Sequence, residues 1–285
     1  MTDTPPRNTM HDHAPLDRDN VFVVIPALNE SLRIREVVNE ALAQCVNVIV
    51  VDDGSDDGTA DCIADLPVIL LRHPQRMGKG ASLRDGFREA ARRGARGVAT
   101  MDGDGQHSAA DIPRMIAAAN RHPGCLVVGA RLRKRATQPL YRRIGNEFGD
   151  WGIGWACGFR VVDSQSGQRL YPAPVFTLPD VRGEGFAFEA QMLISAAREA
   201  GAGVVAIPIE SRYACADTPA QFRKSHFRLG RDLWAIIVHV FAQIRAHGDL
   251  WGEYRRSRTR PALVDDPDGE FDTAHAHAGL AGRAG

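Results

Sequence analysis

Neither sign of charge dominates this chain: 35 Lys and Arg balance 35 Asp and Glu, for a formal net charge of zero at pH 7. Bulk electrostatics therefore excludes nucleic acid as a partner drawn by net charge, and any basic site must be local. Lysine is scarce, with only Lys79, Lys134 and Lys224 in 285 residues. Cysteine is sparse too. Cys45, Cys62, Cys125, Cys157 and Cys215 are odd in number, widely spaced and form no CxxC, which excludes a disulfide framework and a thiolate zinc site and points to a reducing, cytoplasmic compartment. No run approaches the ~20 apolar residues of a membrane span. Residues 1–19 are polar, with prolines and histidines but no apolar h-region, so they read as a disordered tail and not as a secretory signal.

What the chain does have is a regular succession of short, continuous apolar runs. Val21–Ile25, Val46–Val51, Val68–Leu71, Val98–Met101, Leu126–Ala130 and Val204–Ile209 read as strands buried on both faces, as in a parallel sheet. Between them the apolar residues recur at helical spacing. Helices are expected after a cap at Asn29 or Ser31, after Gly80, and over Pro113–Arg121, Ile144–Cys157, Phe186–Ala200 and Phe222–His247. Such alternation predicts an α/β fold: one doubly wound, mostly parallel sheet spanning residues 20–250 and ending in an amphipathic helix. That last helix begins with Arg223, Lys224, His226, Arg228 and Arg231 ahead of Leu233–Val238, a composition that suits either core packing or a membrane interface. Residues 251–285 turn polar and then Ala/Gly/His-rich, as in a second disordered tail.

The loops after these strands carry the chemistry. In an open α/β sheet they gather at the carboxyl edge, where ligands bind. Asp102-Gly103-Asp104-Gly105-Gln106-His107 sets two carboxylates on alternate residues of an extended chain, able to converge on a hard divalent cation. Asp-Gly pairs are equally ordinary turn formers. Asp52-Asp53-Gly54-Ser55-Asp56-Asp57-Gly58-Thr59 is an acidic strand-to-helix turn able to hold a ribose or a base edge, or to serve as an Asx turn and helix cap. Gly78-Lys79-Gly80 opens a helix and so offers backbone amides, a helix dipole and an ammonium to an anion. It is not a Walker loop, since His73 stands where that loop needs glycine. Arg131 to Arg143 is a basic segment, and Val162 to Pro172 places a carboxylate, hydroxyls and an arginine around a glycine turn. Together these loops make a nucleotide-diphosphate site the economical reading.

In this order the pieces resemble family 2 glycosyltransferases of the GT-A fold, above all the dolichyl- and polyprenyl-phosphate sugar synthases, over roughly residues 21–244. Pro26-Ala27-Leu28-Asn29-Glu30 matches the family's opening loop, Asp52 to Thr59 its nucleotide-reading turn, Gly78 to Gly80 its diphosphate-side element, and Asp102 to His107 its metal motif. The resemblance implies a nucleotide diphosphate sugar held by Pro26, Ala27, Asn29, Glu30, Asp53, Gly54, Ser55, Lys79, Asp102 and Gly103. It implies Mg²⁺ or Mn²⁺ on Asp104 and Gln106, and a lipid-linked acceptor held by Arg131, Arg142 or Arg143 with Asn146, and Arg169. The family's Asp-x-x-Ser-Gly-Phe-Arg appears here as Asp163 to Arg169, with Gln168 in place of the aromatic residue. Catalysis would rest on Asp104. A hydroxyl acceptor would also need a base, for which Asp163, Glu184 and Glu189 are candidates, Glu189 reading as well as a helix-capping acid. An acceptor that is already anionic would need none. Contact with the inner face of the cell membrane follows if the acceptor is a lipid. Transfer to a non-phosphate acceptor, and nucleotide-sugar binding without turnover, remain the alternatives. A sugar nucleotidyltransferase would need a Gly-rich loop where Pro26 to Asn29 stands.

Overall fold

The computed structural model describes residues 14–132, 140–179, 181, 186–209, 229–246, 249–267 and 269, with the backbone alone at 140–145, 186 and 229–237. Its centre is an eight-stranded sheet in the order β3-β2-β1-β4-β6-β5-β7-β8. β1 (Val21–Ala27) pairs in parallel with β2 (Asn47–Asp52) and β4 (Gly97–Thr100), and β2 in turn with β3 (Ile69–Arg72). β5 (Leu126–Ala130), β7 (Val204–Pro208) and β8 (Leu263–Val264) form a second parallel set. Joining the two sets is β6 (Arg169–Pro172), antiparallel to β4 and β5. The amino end of a reversed strand lies beside the carboxyl ends of its neighbours. The segment 163–168 is thereby delivered to the same edge as the loops after β1, β2, β4 and β5.

Both faces of the sheet are covered, which is why its strands read as continuous apolar runs. Phe22 and Val24 of β1 join Ile49 and Val51 of β2 on one face, under α2 (Lys79–Arg92), α4 (Leu140–Cys157) and α6 (Phe186–Arg198) through Leu83, Phe87, Ile153 and Phe188. Val21, Val23 and Ile25 face the other way, under α1 (Ile34–Gln44) and α3 (Ile112–Arg121) through Ile34, Val38, Ile112 and Met115. Among the described residues the other α-helices are the short α5 (Ala173–Phe176), α7 (Leu229–Ala246) and α8 (Leu250–Thr259). Among the described residues no helix is long and apolar enough to cross a membrane.

Three expectations are corrected. α1 starts at Ile34 with no side-chain cap, so neither Asn29 nor Ser31 caps it. Residues 169–172, read as part of a glycine turn, form β6, whose short polar start gives no alternating signal. The chain beyond 250 does not at once become a tail: α8 packs on the domain and β8 extends the sheet. α8 escapes pattern reading because the face that it buries is polar. Its Glu253 receives Arg198 at 2.6 Å and its buried Ser257 donates to the Tyr254 carbonyl, so no apolar period marks it. The start expected for the last helix, 222–228, lies outside the described residues.

α2 lies close on the sheet because Gly86 has no side chain. A Cβ there would run into the Val24 side chain and stand 3.4 Å from Val51 Cγ2. Gly86→Val is expected to destabilise the fold by about 1–3 kcal/mol through overpacking, read as a lower urea midpoint with an unchanged m-value.

Candidate active site

The loops after β1 and β2 are stitched together. The Asn29 amide donates to Ser55 Oγ at 2.9 Å, Asn29 Oδ1 accepts from the Asp56 amide at 3.0 Å, and the Glu30 amide donates to Thr59 Oγ1 at 2.8 Å. Asn29 adopts a left-handed φ of +56° to do so. Asp57 accepts from the Ser31 amide across the two loops and from the Thr59 amide within its own. Gly103 closes the stack from β4: a Cβ there would stand 3.3 Å from the Pro26 carbonyl and 3.5 Å from Ala27 Cβ.

Asp53 departs from expectation. It is 3% exposed, and its carboxylate accepts from the Met77 and Gly78 amides at 2.7 and 2.8 Å and meets His73 Nδ1 at 2.8 Å. The side chain read as a ribose or base holder is thus consumed inside the protein, fixing the segment that leads into α2. His73 Nε2 reaches on to Asp85 of α2 at 3.1 Å. Gly54, at φ +74°, permits the approach, since a Cβ would lie 2.6 Å from the Gln75 carbonyl carbon. The signal for this pairing was His73 itself, noted in the sequence only as the residue that breaks a Walker loop.

What the tether aims is Lys79. Its ammonium stands 2.7 Å from Asp102 Oδ1 and 3.3 Å from Glu189 Oε1. Burial disfavours the charged lysine, but the two carboxylates outweigh it and hold its pKa above the ordinary value. Burial likewise opposes ionised Asp102, yet Lys79 and then His107 keep its pKa low. Asp104 goes the other way: burial, then repulsion from Asp102, lift it to about 6. Its Oδ1 accepts from the Gln106 amide at 3.0 Å, a backbone contact and not one through the Gln106 side chain. His107 is pushed down to about 4 by burial, so its ring is neutral at physiological pH. Glu189 is 7% exposed and reaches inward to Lys79, more than a helix-capping acid would.

Across the site, at the end of β5, Arg131 is locked onto Asp163. Its backbone amide and Nε donate to Asp163 Oδ2 at 2.7 and 2.8 Å, and its Nη2 donates to Oδ1 at 2.6 Å. Burial resists ionisation of Asp163 but Arg131 prevails, and the carboxyl stays below its usual range. Asp163, at φ +49°, is held in turn by Asp150 of α4, which accepts from the Asp163 amide at 3.0 Å and from the Ser164 amide and hydroxyl at 2.7 and 2.6 Å. Nothing in the spacing singled out Asp150. Asn146 lies one turn earlier on α4; the Arg142 and Arg143 side chains, and Glu184, fall outside the described residues.

Arg169 is not available to an acceptor. It is fully buried and donates to the carbonyls of Ser164, Ser166 and Glu189, a structural clamp between β6 and α6. Gln168, in the place of the family's aromatic residue, is also buried and ties the β6 side to the β4 loop through Nε2 to the Ser108 carbonyl at 2.7 Å. Gly167 completes that seam, leaving space for Asp102, whose Oδ2 would lie 2.7 Å from a Cβ.

This geometry is one of anionic-ligand chemistry: an ammonium at a helix start, two acidic side chains beside it, and an oriented guanidinium opposite. The glycosyl transferase family 2 model matches residues 22–172. The chain is 32% identical over 175 residues to UDP-N-acetylglucosamine--dolichyl-phosphate N-acetylglucosaminyltransferase of Methanococcus voltae, covering 53% of this chain and 68% of that one. It is 30% identical over 207 residues to undecaprenyl-phosphate mannosyltransferase of Micrococcus luteus, covering 66% and 82%. Among solved structures, glucosyl-3-phosphoglycerate synthase of Mycobacterium tuberculosis, crystallised with Mn²⁺, UDP and glucosyl-3-phosphoglycerate, superposes with a TM-score of 0.56 at 21% identity, over 80% of this chain and 79% of that one. The order of the strands, the edge that they present and the matched segment agree: the chain is a glycosyltransferase and belongs to glycosyl transferase family 2.

Proposed function

We propose that this glycosyltransferase moves a hexose from a nucleotide diphosphate sugar to a polyprenyl phosphate, with inversion at the anomeric carbon. The observation that carries the reading is the Lys79–Asp102 contact beside Asp104, opposite an Arg131 already oriented by Asp163. The names of the relatives support the acceptor class.

The donor's diphosphate belongs over the start of α2. Lys79 then leaves its carboxylates to meet the phosphate oxygens and offsets the negative charge that grows on the departing diphosphate. Asp102 and Glu189, freed of that ammonium, accept hydrogen bonds from donor hydroxyls. Ser55, Asn29 and Glu30 line the nucleotide side through loops that Asp53 keeps in place. Opposite, Arg131 holds the acceptor phosphate by charge-assisted hydrogen bonds. Asn146, one turn before Asp150 on α4, extends that anion site. An acceptor phosphate oxygen is already anionic and attacks without a protein base. The geometry favours this, because Asp163 is spent on Arg131 and Glu189, once freed, is taken up by the donor's hydroxyls.

A divalent cation fits the same place. Asp104 is a half-buried carboxylate whose ionisation nearby cationic charge would favour, and Asp102 stands close enough to repel it. The described residues assemble no group of three or more His, Cys, Asp or Glu side chains able to hold a metal. Mg²⁺ or Mn²⁺ on Asp104, completed by phosphate oxygens and water, suits that donor set. Bound there, the cation would supply Lewis-acid stabilisation of the leaving diphosphate. The enzyme would work at the inner face of the cell membrane.

The decisive measurement is a thermal-shift screen with UDP, GDP and their sugars, with and without Mn²⁺. The true donor raises the melting temperature by roughly 5–10 °C at a hundredfold excess over its Kd. No shift with any of them would end the proposal.

Asp104→Ala is expected to abolish sugar transfer to polyprenyl phosphate with the fold retained. Full activity of that variant in chelator would remove the metal role. Since the folded pKa of Asp104 lies above the ordinary carboxylate value, ionising it weakens the metal-free fold. The penalty is full above pH 6 and vanishes as the pH falls through the unfolded value near 4. Metal-free Asp104→Asn should therefore melt above the parent protein at pH 8 and level with it at pH 4. Arg131→Ala should raise KM for the acceptor about tenfold or more while the donor-induced thermal shift is kept.

A further inference from the structure

α4, α7 and α8 share a surface that the site does not use. On it the rings form an unbroken band: Phe148 packs on Trp151 at 5.5 Å between centroids and Trp151 on Trp155 at 5.4 Å. Trp155 then packs on Phe241 at 6.2 Å and on Tyr254 at 5.3 Å, and Tyr254 on Trp251 at 6.3 Å. Much of the band is open to solvent. Trp251 is 70% exposed and Val238 51%, with Phe148, Phe241 and Leu250 also exposed. A patch of this size and ring content marks a contact surface.

On α8 the charge beside it that lacks an opposite partner is basic. On α8 the acids are spoken for: Glu253 turns inward to Arg198 and Arg256, and Asp249 meets Arg256 at 3.2 Å. Trp251, Arg255 and Arg258 follow at spacings of four and three and so share one helix face. Among the described residues, Arg255 and Arg258 have no acidic partner. Indole rings with guanidinium groups around them suit the headgroup layer of a bilayer, where the ring sits at the boundary and the cations meet anionic lipid. A single helix connects this surface to the chemistry: α4 carries Phe148, Trp151 and Trp155 on one stripe and Asp150, which holds the Asp163–Arg131 pair, between them.

We propose that the aromatic face of α4, α7 and α8, rimmed by Arg255 and Arg258, is the surface by which the enzyme docks on an anionic lipid bilayer. The proposal rests on the reading of the acceptor as a polyprenyl phosphate, whose chain lies in that bilayer. Docking there places the acceptor side of the site, and not the α1–α3 face, toward the lipid.

Flotation with vesicles of phosphatidylcholine and phosphatidylglycerol, compared with phosphatidylcholine alone, tests it without turnover. The full chain should float with the anionic vesicles. Arg255→Glu with Arg258→Glu should weaken binding by at least about fivefold for each arginine and remove the preference for anionic lipid. Trp251→Ser with Phe241→Ser should weaken binding to both compositions. All four positions lie outside the site, so each variant should keep the parent rate of transfer to a short-chain, water-soluble polyprenyl phosphate, and the arginine variants the parent melting temperature. Variants that float like the parent protein, or a parent protein that stays in the aqueous layer with both vesicles, overturn the proposal. So does a parent dimer, seen by light scattering, that Trp251→Ser dissolves and vesicles do not compete away. If flotation behaves as expected but no transfer to any polyprenyl phosphate occurs, the acceptor assignment falls and the docking surface stands.

Discussion

Charge compensation at one sheet edge is the constraint from which the rest of the molecule follows. Glu189 is buried there with Asp102 and Asp104 half-buried beside it, and carboxylates drawn out of water tolerate one another only if a cation stands among them. Lys79 supplies it, and can do so only because the polypeptide before α2 is held at a fixed height by Asp53. The acidic turn after β2 is in this sense a foundation for a lysine more than twenty residues further on. A ligand bearing negative charge, or a cation beside Asp104, enters a balance already set by these groups.

The Arg131 side of the edge repeats the logic with a different cation. Arg131 is held by three contacts to a single carboxylate, and Asp163 is kept in a left-handed turn by Asp150. Arginine suits this place because its planar fork meets a carboxylate with two parallel donors. Asp150, with two backbone amides and a hydroxyl directed at it, remains a raised carboxyl at about 6 through burial and the nearness of Asp163. One acid orients, the other supports, and neither is left over as a proton acceptor.

Much of this was readable from residues alone. Two-sided burial made β1, β2, β4 and β5 visible as apolar runs, and glycine-punctuated acids marked the loops that end them. Periodicity could not reveal interactions that reverse direction or bury polar groups. β6 is short and begins with an arginine whose guanidinium is spent on carbonyls, so a structural clamp looked like an acceptor contact. α8 is pinned by Glu253 with Arg198 and shows no apolar stripe. Asp53 illustrates a subtler limit: the motif places the carboxylate correctly at the edge, but only coordinates reveal that backbone amides from another loop have claimed it.

The cross-stitching of the first two loops has a thermodynamic consequence. Asn29, Ser55, Asp57 and Thr59 exchange hydrogen bonds before any ligand arrives, so the wall that a nucleotide would lie against is already ordered. Segments that freeze only on contact subtract their lost conformational freedom from the affinity gained. Here that subtraction is made once, during folding, so a ligand lying against these loops would meet a surface already rigid.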